Sequence, residues 1–581
     1  MSREKTLRQE DKLDGGRAVA RALSAAGVTT AFTLHGGHLD PIYYSCLDHG
    51  IELVDVRHES SAGHAAEGWA RLSKQIGVAM VTSGPGLTNV VTSIANAYID
   101  GTPVLYLAGS PPLRESGLNV MQGGYDQVAM VRPITKHALQ VTDATRIEDQ
   151  IATAITIATS GRPGPVFVEL PIDVLVRPCP EPASPRRPVV PAPSVPRQQE
   201  VDATVAILEE AARPVLVLGN LARYEATPEQ VNSFIATTGI PVVSSGRALG
   251  LADPDAPEYA HTLDVLATAA ATGVGSADAA LVVGSKFGFS LGGRSGSFLP
   301  LDCTVVHVYA EAHEMSYVRP PTVGSTANCG EFLDAVARSW RSGPDSKREW
   351  CAALASTPAA TNARFEQDRA EHGHIHPFHA AQKIIESCPR ESIWVLDGGE
   401  STAWAQYLTR TTTPGGVLSY GQQSCLGTGM GMALGAAKRY PDRPVIQIAG
   451  DGALGLHLQE FDTFVRHGAN VITIVMNNGI WGMSIHGQHL LYGDDYNCVT
   501  NIPGVGYAEA ARGLGCYAED VDSLDGIAPA IKRALDADRP ACINVAISPS
   551  VVSPVTTLLI RNPKDGDIAV PYYEHIPSLD A

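Results

Sequence analysis

The sequence predicts an α/β protein built from three doubly wound, parallel-sheet domains followed by a C-terminal tail. Short runs rich in Val, Ile and Leu alternate with segments of helical periodicity, which is typical of parallel sheets covered by helices. A stretch with eight prolines and a later polar, helical stretch interrupt this alternation and divide the chain. The predicted organisation is a first domain at 10–176, a Pro-rich linker at 177–199, a middle domain at 200–340, a connection at 341–375, a third domain at 376–548 and the tail at 549–581.

Each predicted domain contains apolar runs of strand length. In a sheet that is covered on both faces, such strands are expected to be continuously apolar rather than alternating. The clearest runs are residues 78–82 and 104–107 in the first domain, 215–218, 280–283 and 305–308 in the middle domain, and 444–449 and 471–476 in the third.

Composition and charge exclude several classes of protein. The formal net charge of −18 argues against a nucleic-acid partner, because phosphate neutralisation needs a basic surface. The ten cysteines are scattered without a Cys-x-x-Cys pair, so a zinc site or a disulfide framework is not expected. The first residues lack the apolar core of a signal peptide, and no apolar run reaches the roughly 18 residues that a membrane span needs. We therefore expect a cytoplasmic protein with no membrane partner.

A glycine-flanked aspartate follows the first of two strands predicted in the third domain. Asp451 lies between Gly450 and Gly452, directly after residues 444–449, and a helical pattern comes next. Glycines at a strand-to-helix turn let backbone amides approach a phosphate, and the helix N-terminus favours its charge. The strand at 471–476 ends at two asparagines, and a carboxylate with an asparagine amide oxygen suits Mg²⁺. This pattern predicts a diphosphate held through magnesium; an aspartate that only caps a helix is the alternative.

A second group of motifs lies in the first domain. Glu59 ends the run Arg-His-Glu and opens a helix rich in Ala and Gly, which can hold a carboxylate in a dry site where its pKa rises. Ser-Gly-Pro-Gly follows at 83–86, with Asn89, Asp100 and Pro103 further along. Together with the Gly-Asp-Gly and Asn-Asn motifs, this order strongly resembles the thiamine-diphosphate-dependent decarboxylase/synthase superfamily. The resemblance extends over all three predicted domains.

The resemblance implies that the protein binds thiamine diphosphate and Mg²⁺. In the superfamily the aspartate, the second asparagine and the carbonyl two residues later bind the metal; here these are Asp451, Asn478 and Ile480. Glu59 matches the catalytic glutamate that donates a hydrogen bond to the aminopyrimidine of the cofactor, and a surface ion pair is its alternative role. Leu426 matches the bulky apolar residue that bends the cofactor, and a plain core leucine is the alternative.

The loop at 396–401 also matches a cofactor-binding segment. Ser401 matches a diphosphate contact, whereas the family more often has Asn where this chain has Glu400, which leaves the phosphate contacts of this loop open. The complete predicted set of cofactor-binding residues is Glu59, Ser401, Leu426, Gly450, Asp451, Gly452, Ala453, Asn478, Ile480, Gly482 and Met483.

Two histidines and a glutamine narrow the resemblance within the superfamily. His35-Gly-Gly-His38 looks like a His-Gly-x-His loop of benzaldehyde lyase, and Gln122 lies in a segment very close to one of that enzyme. The resemblance makes His38, Gln122 and His35 candidate catalytic residues, because neutral donors and acceptors can relay the proton of a substrate hydroxyl. Satisfied polar groups at a domain contact are the alternative for His38 and Gln122.

Two features depart from benzaldehyde lyase. Met483 falls where a small residue makes room for aryl groups, so a narrower pocket for aliphatic groups is expected. The tail looks like the C-terminal lid of 2-hydroxyacyl-CoA lyases and oxalyl-CoA decarboxylases, with Arg561 and Lys564 as candidates for CoA phosphates. A tail that packs on a neighbouring subunit is the alternative.

The resemblance leaves the ligand of the middle domain open. Acetolactate synthases bind flavin there, CoA-handling relatives bind ADP, and many relatives bind nothing. ADP is the ligand we associate with a CoA enzyme.

We therefore predict a carbon–carbon lyase/carboligase that cleaves a short 2-hydroxyacyl-CoA to formyl-CoA and an aldehyde or ketone. The alternatives are an acyloin lyase of the benzaldehyde-lyase type without CoA, acetolactate synthase, and a non-catalytic nucleotide-binding subunit. In this superfamily the pyrimidine-binding domain of one chain meets the diphosphate-binding domain of another, so a homo-oligomer, a tetramer built as a dimer of dimers, is expected.

Overall fold

Three wholly parallel six-stranded sheets form the framework of the protein and confirm the predicted fold class. The computed structural model describes residues 13–180, 182, 184–288, 291–366, 374–502, 504–560, 567–570, 573 and 575–576. The chain forms two compact units, 1–191 and 192–581.

The first unit contains one sheet. Its strands are β1 (Thr30–Thr33), β2 (Glu52–Asp55), β3 (Gly77–Val81), β4 (Val104–Ser110), β5 (His137–Gln140) and β6 (Val166–Pro171). Its helices are α1 (Gly15–Ala25), α2 (Asp40–Asp48), α3 (Glu59–Ser73), α4 (Pro85–Asp100), α5 (Gln127–Val131), α6 (Ile147–Thr159) and α7 (Ile172–Leu175). The strand order is β2-β1-β3-β4-β6-β5, and β3, β4 and β6 are buried throughout, as expected for a parallel sheet covered on both faces.

Helices α3 and α4 pack so closely that a side chain at Gly63 would collide with its neighbour. A Cβ there would lie 1.9 Å from Ser93 Oγ. A buried polar network continues along the two helices, where the Arg71 guanidinium contacts Glu67 at 2.9 Å and Asp100 at 2.5 Å. Asn96 Nδ2 donates to both oxygens of Glu67, at 2.8 and 3.0 Å. These contacts fix the two helices that carry Glu59 and Asn89.

The second unit contains two sheets, and the first of these belongs to the middle of the chain. Its strands are β7 (Pro214–Leu218), β8 (Val242–Ser244), β9 (Tyr259–Thr262), β10 (Ala279–Val283), β11 (Thr304–Val308) and β12 (Val323–Ser325). The associated helices are α8 (Gln198–Glu210), α9 (Ala222–Glu225), α10 (Pro228–Thr238), α11 (Asp264–Ala271), α12 (Cys329–Ser339) and α13 (Arg348–Glu366). The order β12-β11-β10-β7-β8-β9 reverses between β10 and β7, as in dinucleotide-binding sheets.

The other sheet of this unit has the same topology as the sheet of the first unit. Its strands are β13 (Ile393–Asp397), β14 (Val417–Ser419), β15 (Val445–Gly450), β16 (Val471–Asn477), β17 (Tyr517–Val521) and β18 (Ala541–Ala546), in the order β14-β13-β15-β16-β18-β17. The helices are α14 (Pro377–Ser387), α15 (Glu400–Gln406), α16 (Thr428–Arg439), α17 (Asp451–Gly455), α18 (Glu460–Arg466), α19 (Gly482–Tyr492), α20 (Tyr507–Gly513), α21 (Leu524–Asp536) and α22 (Pro554–Ile560). α22 lies beyond the last strand.

Strand register brings three motif-bearing loops to one edge of this sheet. Asp397, at the end of β13, pairs with Ala449, and Gly450 at the end of β15 pairs with Met476. Because all strands run in the same direction, the loops that follow β13, β15 and β16 leave the sheet side by side. No helix in the described ranges has the length and apolar character needed to cross a membrane.

Replacing Arg71 with Met should destabilise the first unit. The change leaves the buried carboxylates of Glu67 and Asp100 without their shared cation, at a cost of about 3–5 kcal/mol. We expect a clear fall in the thermal unfolding midpoint measured by calorimetry. Arg114→Met, at a side chain that is 75% exposed, is the matched control, and equal midpoints for the two variants would contradict the account of the network.

Candidate functional site

Asp451 occupies the first position of α17, directly after β15. The residue is only 3% exposed, and its Oδ2 accepts a hydrogen bond from the Gly479 amide at 2.9 Å. The Tyr507 hydroxyl donates to the Asp451 carbonyl at 2.6 Å and fixes the start of the helix. The loops after β15 and β16 are therefore joined directly through the aspartate.

Glycines allow the surrounding loops to approach one another. A Cβ on Gly452 would lie 2.6 Å from the Trp481 ring, and one on Gly398 would lie 2.4 Å from Ser401 Oγ. Gly398 also has a φ of +108°, which favours glycine. Ser401 Oγ would lie 3.0 Å from a Cβ on Gly450, so Ser401 stands directly against the Gly-Asp-Gly turn.

The donors predicted to bind magnesium line one cavity. Asp451, Asn478 and Ile480 all contribute to its wall. Burial raises the pKa of Asp451 to about 6, against the opposing effect of the Gly452 and Gly479 amides. None of the described residues that line the cavity is Lys or Arg. A divalent cation beside the Asp451 carboxylate would supply a positive charge there, so these residues fit the metal.

A metal at this place would depend on more than side chains. The described part of the chain holds no group of three or more His, Cys, Asp and Glu that could bind a metal ion. One carboxylate, one amide oxygen and one carbonyl leave several coordination positions to water or to phosphate oxygens. The donor set therefore suits Mg²⁺ bound together with a diphosphate.

The cavity has a volume of about 780 Å³. All the predicted cofactor-binding residues that belong to the second unit line its wall. These residues are Ser401, Leu426, Gly450, Asp451, Gly452, Ala453, Asn478, Ile480, Gly482 and Met483. Met483 also packs on the loop after β13, where a Cβ on Gly399 would lie 3.2 Å from the Met483 Cβ. The tail contributes Val551, Val555, Leu559 and Tyr573 to the same wall.

Asp397 shapes the turn that carries Leu426, and sequence reasoning did not single it out. Its carboxylate accepts hydrogen bonds from the amides of Gly427 at 3.2 Å and Gly429 at 2.7 Å, at the start of α16. Gly427 has a φ of +82°, so the chain turns sharply directly after Leu426. An acidic residue at the end of a buried strand, beside the other motif-bearing strand ends, is the signal that could have identified it.

Glu400 is engaged by protein groups. Its carboxylate accepts hydrogen bonds from His486 Nδ1 at 2.9 Å and from Thr556 Oγ1 at 2.5 Å. It also lines the cavity. The departure from the family pattern noted in the sequence thus coincides with contacts to α19 and to the tail.

In the first unit, Glu59 forms the first residue of α3 and is 6% exposed. Asn89 Nδ2, on α4, donates to Glu59 Oε2 at 2.9 Å. His58 caps the helix by accepting a hydrogen bond from the Ser60 amide at 3.1 Å. Glu59 is therefore a buried carboxyl with a fixed orientation, held by the motif asparagine.

His38 and Gln122 meet at the loop after β3. His38 Nδ1 lies 3.3 Å from Thr82 Oγ1, and the Ser83 hydroxyl donates to the Gln122 carbonyl at 2.7 Å. Burial lowers the pKa of His38, which favours its neutral imidazole. Gln122 has a φ of +59°, and its side-chain Oε1 is buried without a hydrogen-bond donor among the described residues.

His35 does not join this group within the first unit. Its Nε2 lies 3.0 Å from Asp40 Oδ1, and its side chain is 71% exposed. Gln127, which sequence reasoning missed, supports the loop after β3. Its Oε1 accepts from the Gly84 amide at 3.0 Å, and its Nε2 donates to Glu169 at 2.9 Å. A lone glutamine in an apolar helix gave no sequence signal.

Two further predicted residues lie outside the described part of the chain. Arg561 and Lys564, the candidates for CoA phosphates, fall within 561–566. Their assignment stays a prediction from the sequence.

Three known family domains match the segments of the chain that form the three sheets. The N-terminal TPP binding domain of thiamine pyrophosphate enzymes matches residues 13–130, the central domain of these enzymes matches 201–336, and their C-terminal TPP binding domain matches 397–545. The chain belongs to the thiamine pyrophosphate enzyme family. Thiamine pyrophosphate is thiamine diphosphate, so the predicted superfamily is confirmed.

Curated relatives of this thiamine pyrophosphate enzyme cover nearly its whole length. A probable acetolactate synthase of Mycobacterium bovis is 34% identical over 550 residues, which are 93% of this chain and 97% of the relative. The 2-hydroxyacyl-CoA lyase 2 of Mus musculus is 33% identical over 546 residues, or 86% of this chain and 84% of the relative. The human 2-hydroxyacyl-CoA lyase 2 is 31% identical over 579 residues, or 92% and 90%. The family thus includes lyases and synthases.

Replacing Asp397 with Ala should destabilise the turn at Leu426. The amides of Gly427 and Gly429 lose their buried acceptor, at a cost of about 1–3 kcal/mol. We expect a lower thermal midpoint of the cofactor-free protein and a reduced content of bound thiamine diphosphate. Asp397→Asn keeps one acceptor oxygen and should lose less. If both variants match the wild type, Asp397 does not hold this turn.

Proposed function

We propose that the protein is a thiamine-diphosphate- and Mg²⁺-dependent lyase/carboligase acting on short 2-hydroxyacyl-CoA substrates. The bond between the thioester carbonyl carbon and the hydroxylated carbon breaks. The hydroxylated carbon leaves as an aldehyde or ketone, and the carbonyl carbon gains a proton to give formyl-CoA. The reverse reaction joins the same two products.

The shared cavity is the observation that carries this proposal. Val551, Val555 and Leu559 of the tail lie in one wall with Asp451 and Met483. Tail residues in the cavity wall agree with the resemblance of the tail to the C-terminal lid of acyl-CoA enzymes. Relatives named 2-hydroxyacyl-CoA lyase 2 support the same class.

The second unit would hold the diphosphate end of the cofactor. When bound, thiamine diphosphate supplies a nucleophilic carbon and an electron sink for cleavage beside a carbonyl. Asp451, Asn478 and Ile480 would bind Mg²⁺, and Ser401 would contact the diphosphate. Leu426 would support the bent cofactor, and the remaining wall residues Gly450, Gly452, Ala453, Gly482 and Met483 would surround it.

The first unit would supply the proton-handling groups. Asn89 already donates to Oε2 of Glu59, which leaves Oε1 to carry the proton that the aminopyrimidine requires. Neutral His38 can accept or donate a proton through its ring nitrogens. The buried Gln122 Oε1 can accept a hydrogen bond from the hydroxyl group of the substrate. His35, which lies in the same loop as His38, would be a further candidate for proton transfer.

The remaining assignments complete the proposal. The domains would divide at the boundaries predicted from the sequence. ADP would bind to the middle domain. The active enzyme would be a homotetramer in the cytoplasm. The small-molecule substrate would be an acyl-CoA.

Acetolactate synthase is the second candidate, because relatives with that name are 34% identical. An acyloin lyase without CoA is the third. Flavin absorbance in the purified protein, together with acetolactate formed from pyruvate, would favour the synthase.

Glu59→Gln should lower turnover at least about 100-fold, because the amide cannot carry the required proton. Thiamine diphosphate and Mg²⁺ should still bind, since their diphosphate site lies in the second unit. Activity and bound cofactor are measured on the same preparation. Asn89→Asp is a useful comparison, because it places a second carboxylate at the Glu59 contact. Wild-type turnover in Glu59→Gln would remove Glu59 from the mechanism.

Formyl-CoA is the product that decides the substrate class. We expect it from short 2-hydroxyacyl-CoA substrates, detected by mass spectrometry of the reaction mixture. The double variant Arg561→Ala, Lys564→Ala should weaken binding of these substrates by about 1–3 kcal/mol through lost charge-assisted hydrogen bonds. Cleavage of a small acyloin without CoA should change much less. Equal losses on both substrates would favour the acyloin lyase.

A further inference from the structure

A buried ion pair joins the cofactor cavity to the tail. Glu400, on α15, is 7% exposed, and His486, on α19, is 4% exposed. His486 Nδ1 lies 3.0 Å from Oε1 and 2.9 Å from Oε2 of Glu400. On the other side of the ring, Nε2 lies 2.9 Å from the Pro549 carbonyl oxygen.

The partners of the His486 ring indicate its protonation state. Both ring nitrogens face acceptors, and a neutral imidazole has only one N–H. A charged imidazolium satisfies both contacts, with one N–H donating to the Glu400 carboxylate and the other to the Pro549 carbonyl. Burial lowers the pKa of His486. The hydrogen bond and charge of Glu400, together with the Pro549 carbonyl, raise this pKa by more than burial lowers it, so the net shift is upward.

Glu400 receives two more hydrogen bonds from the tail. Its Oε1 accepts from the Ser553 amide at 3.2 Å and from Thr556 Oγ1 at 2.5 Å. Close packing against α19 adds to these contacts, since a Cβ on Gly482 would lie 2.9 Å from Glu400 Oε2. One carboxylate therefore ties α15, α19 and the start of α22 together.

The tail presents apolar side chains to the cavity on the face next to these contacts. Val551, Val555 and Leu559 are four residues apart and all line the cavity. Residues four apart share one face of a helix, so α22 directs Val555 and Leu559 together. The position of α22 therefore sets how far this wall reaches into the cavity.

We propose that Glu400 and His486 are positioning residues that lock residues 549–556, and that Val555 and Leu559 thereby form a fixed wall limiting the size of the group on the hydroxylated carbon of the substrate. The identity of that substrate rests on the proposed function, whereas the lock does not. In this proposal residues 549–556, held in this way, keep Val555 in the cavity wall of the cofactor-bound enzyme.

Hydrogen exchange tests the lock without any substrate. In the cofactor-loaded enzyme, Glu400→Gln should reduce the protection of amides in 549–556 at least about tenfold. Thr556→Val removes one donor but keeps the ion pair, and should reduce protection of the same segment by a smaller factor. Glu391→Gln, the same chemical change at an exposed position, should leave it unchanged. Protection within twofold of the wild type in both Glu400→Gln and Thr556→Val would overturn the lock.

The pH dependence of exchange distinguishes a charged lock from simple packing. The pKa of His486 is raised, so its contribution is present at low pH and is lost as pH rises through that value. Wild-type protection of 549–556, corrected for intrinsic exchange, should therefore fall as the pH rises above 6.5, the ordinary pKa of histidine. Among the described residues, Glu400 contacts the His486 ring, and the titratable His489 and Asp494 line a second cavity together with His486. His486→Gln should remove the pH dependence; the same fall in that variant would overturn the role of His486.

Substrate selectivity tests the wall. Leu559→Ala should raise the ratio of kcat/KM for a long-chain over a short-chain 2-hydroxyacyl-CoA by about tenfold or more, because a larger pocket is left. Glu400→Gln should move the ratio in the same direction, mainly through KM for the long substrate. If the wild type makes formyl-CoA but neither variant changes the ratio, the wall proposal is wrong. If the wild type makes no formyl-CoA, the proposed function fails, and the exchange measurements still decide the lock.

Discussion

Burying a carboxylate at the end of a strand is costly unless a positive charge or several hydrogen-bond donors stabilise it. The candidate site of the second unit depends on how the buried carboxylate of Asp451 is stabilised. The residue is nearly inaccessible, and burial raises its pKa to about 6 although the backbone amides of Gly452 and Gly479 oppose that rise. Glycines let the surrounding loops pack closely: a Cβ on Gly452 would lie 2.6 Å from the Trp481 ring, and one on Gly398 would lie 2.4 Å from Ser401 Oγ. Asp451 lines the cavity together with Asn478, Ile480 and Leu426, and Asp397 supports the turn that follows Leu426.

Parallel topology explains why so few residues define the site. In the third sheet, β13, β15 and β16 are neighbours, and their carboxyl ends lie side by side. Strand pairing therefore brings together motifs that are far apart in the sequence. The sheet of the first unit repeats the same strand order. There His38 lies after β1, Ser83 lies after β3, and Glu59 lies at the start of α3. The middle sheet has a different order, with its reversal between β10 and β7.

The sequence predicted those parts of the site that depend on short-range patterns. A strand or helix and its boundary were enough to predict the Gly-Asp-Gly turn, the Asn-Asn strand end and the glutamate that begins α3. All ten second-unit residues of the predicted cofactor set line the cavity. Contacts that depend on packing were not predictable in this way. The hydrogen bonds from Gly427 and Gly429 to Asp397, and from Thr556 to Glu400, join residues 30 to 156 positions apart, and no local pattern encodes them. The catalytic role of His35 stays a prediction from its motif; within the first unit its exposed side chain lies 3.0 Å from Asp40 Oδ1.

The dependence of cofactor binding on Mg²⁺ tests the central claim most directly. Thiamine diphosphate binding to the cofactor-free protein is measured by calorimetry across a range of Mg²⁺ concentrations, for the wild type, Asp451→Ala and the exposed control Asp442→Ala. We predict tight, Mg²⁺-dependent binding in the wild type and the control, and loss of both the affinity and the Mg²⁺ dependence in Asp451→Ala. Unchanged affinity and unchanged Mg²⁺ dependence in Asp451→Ala would contradict the account.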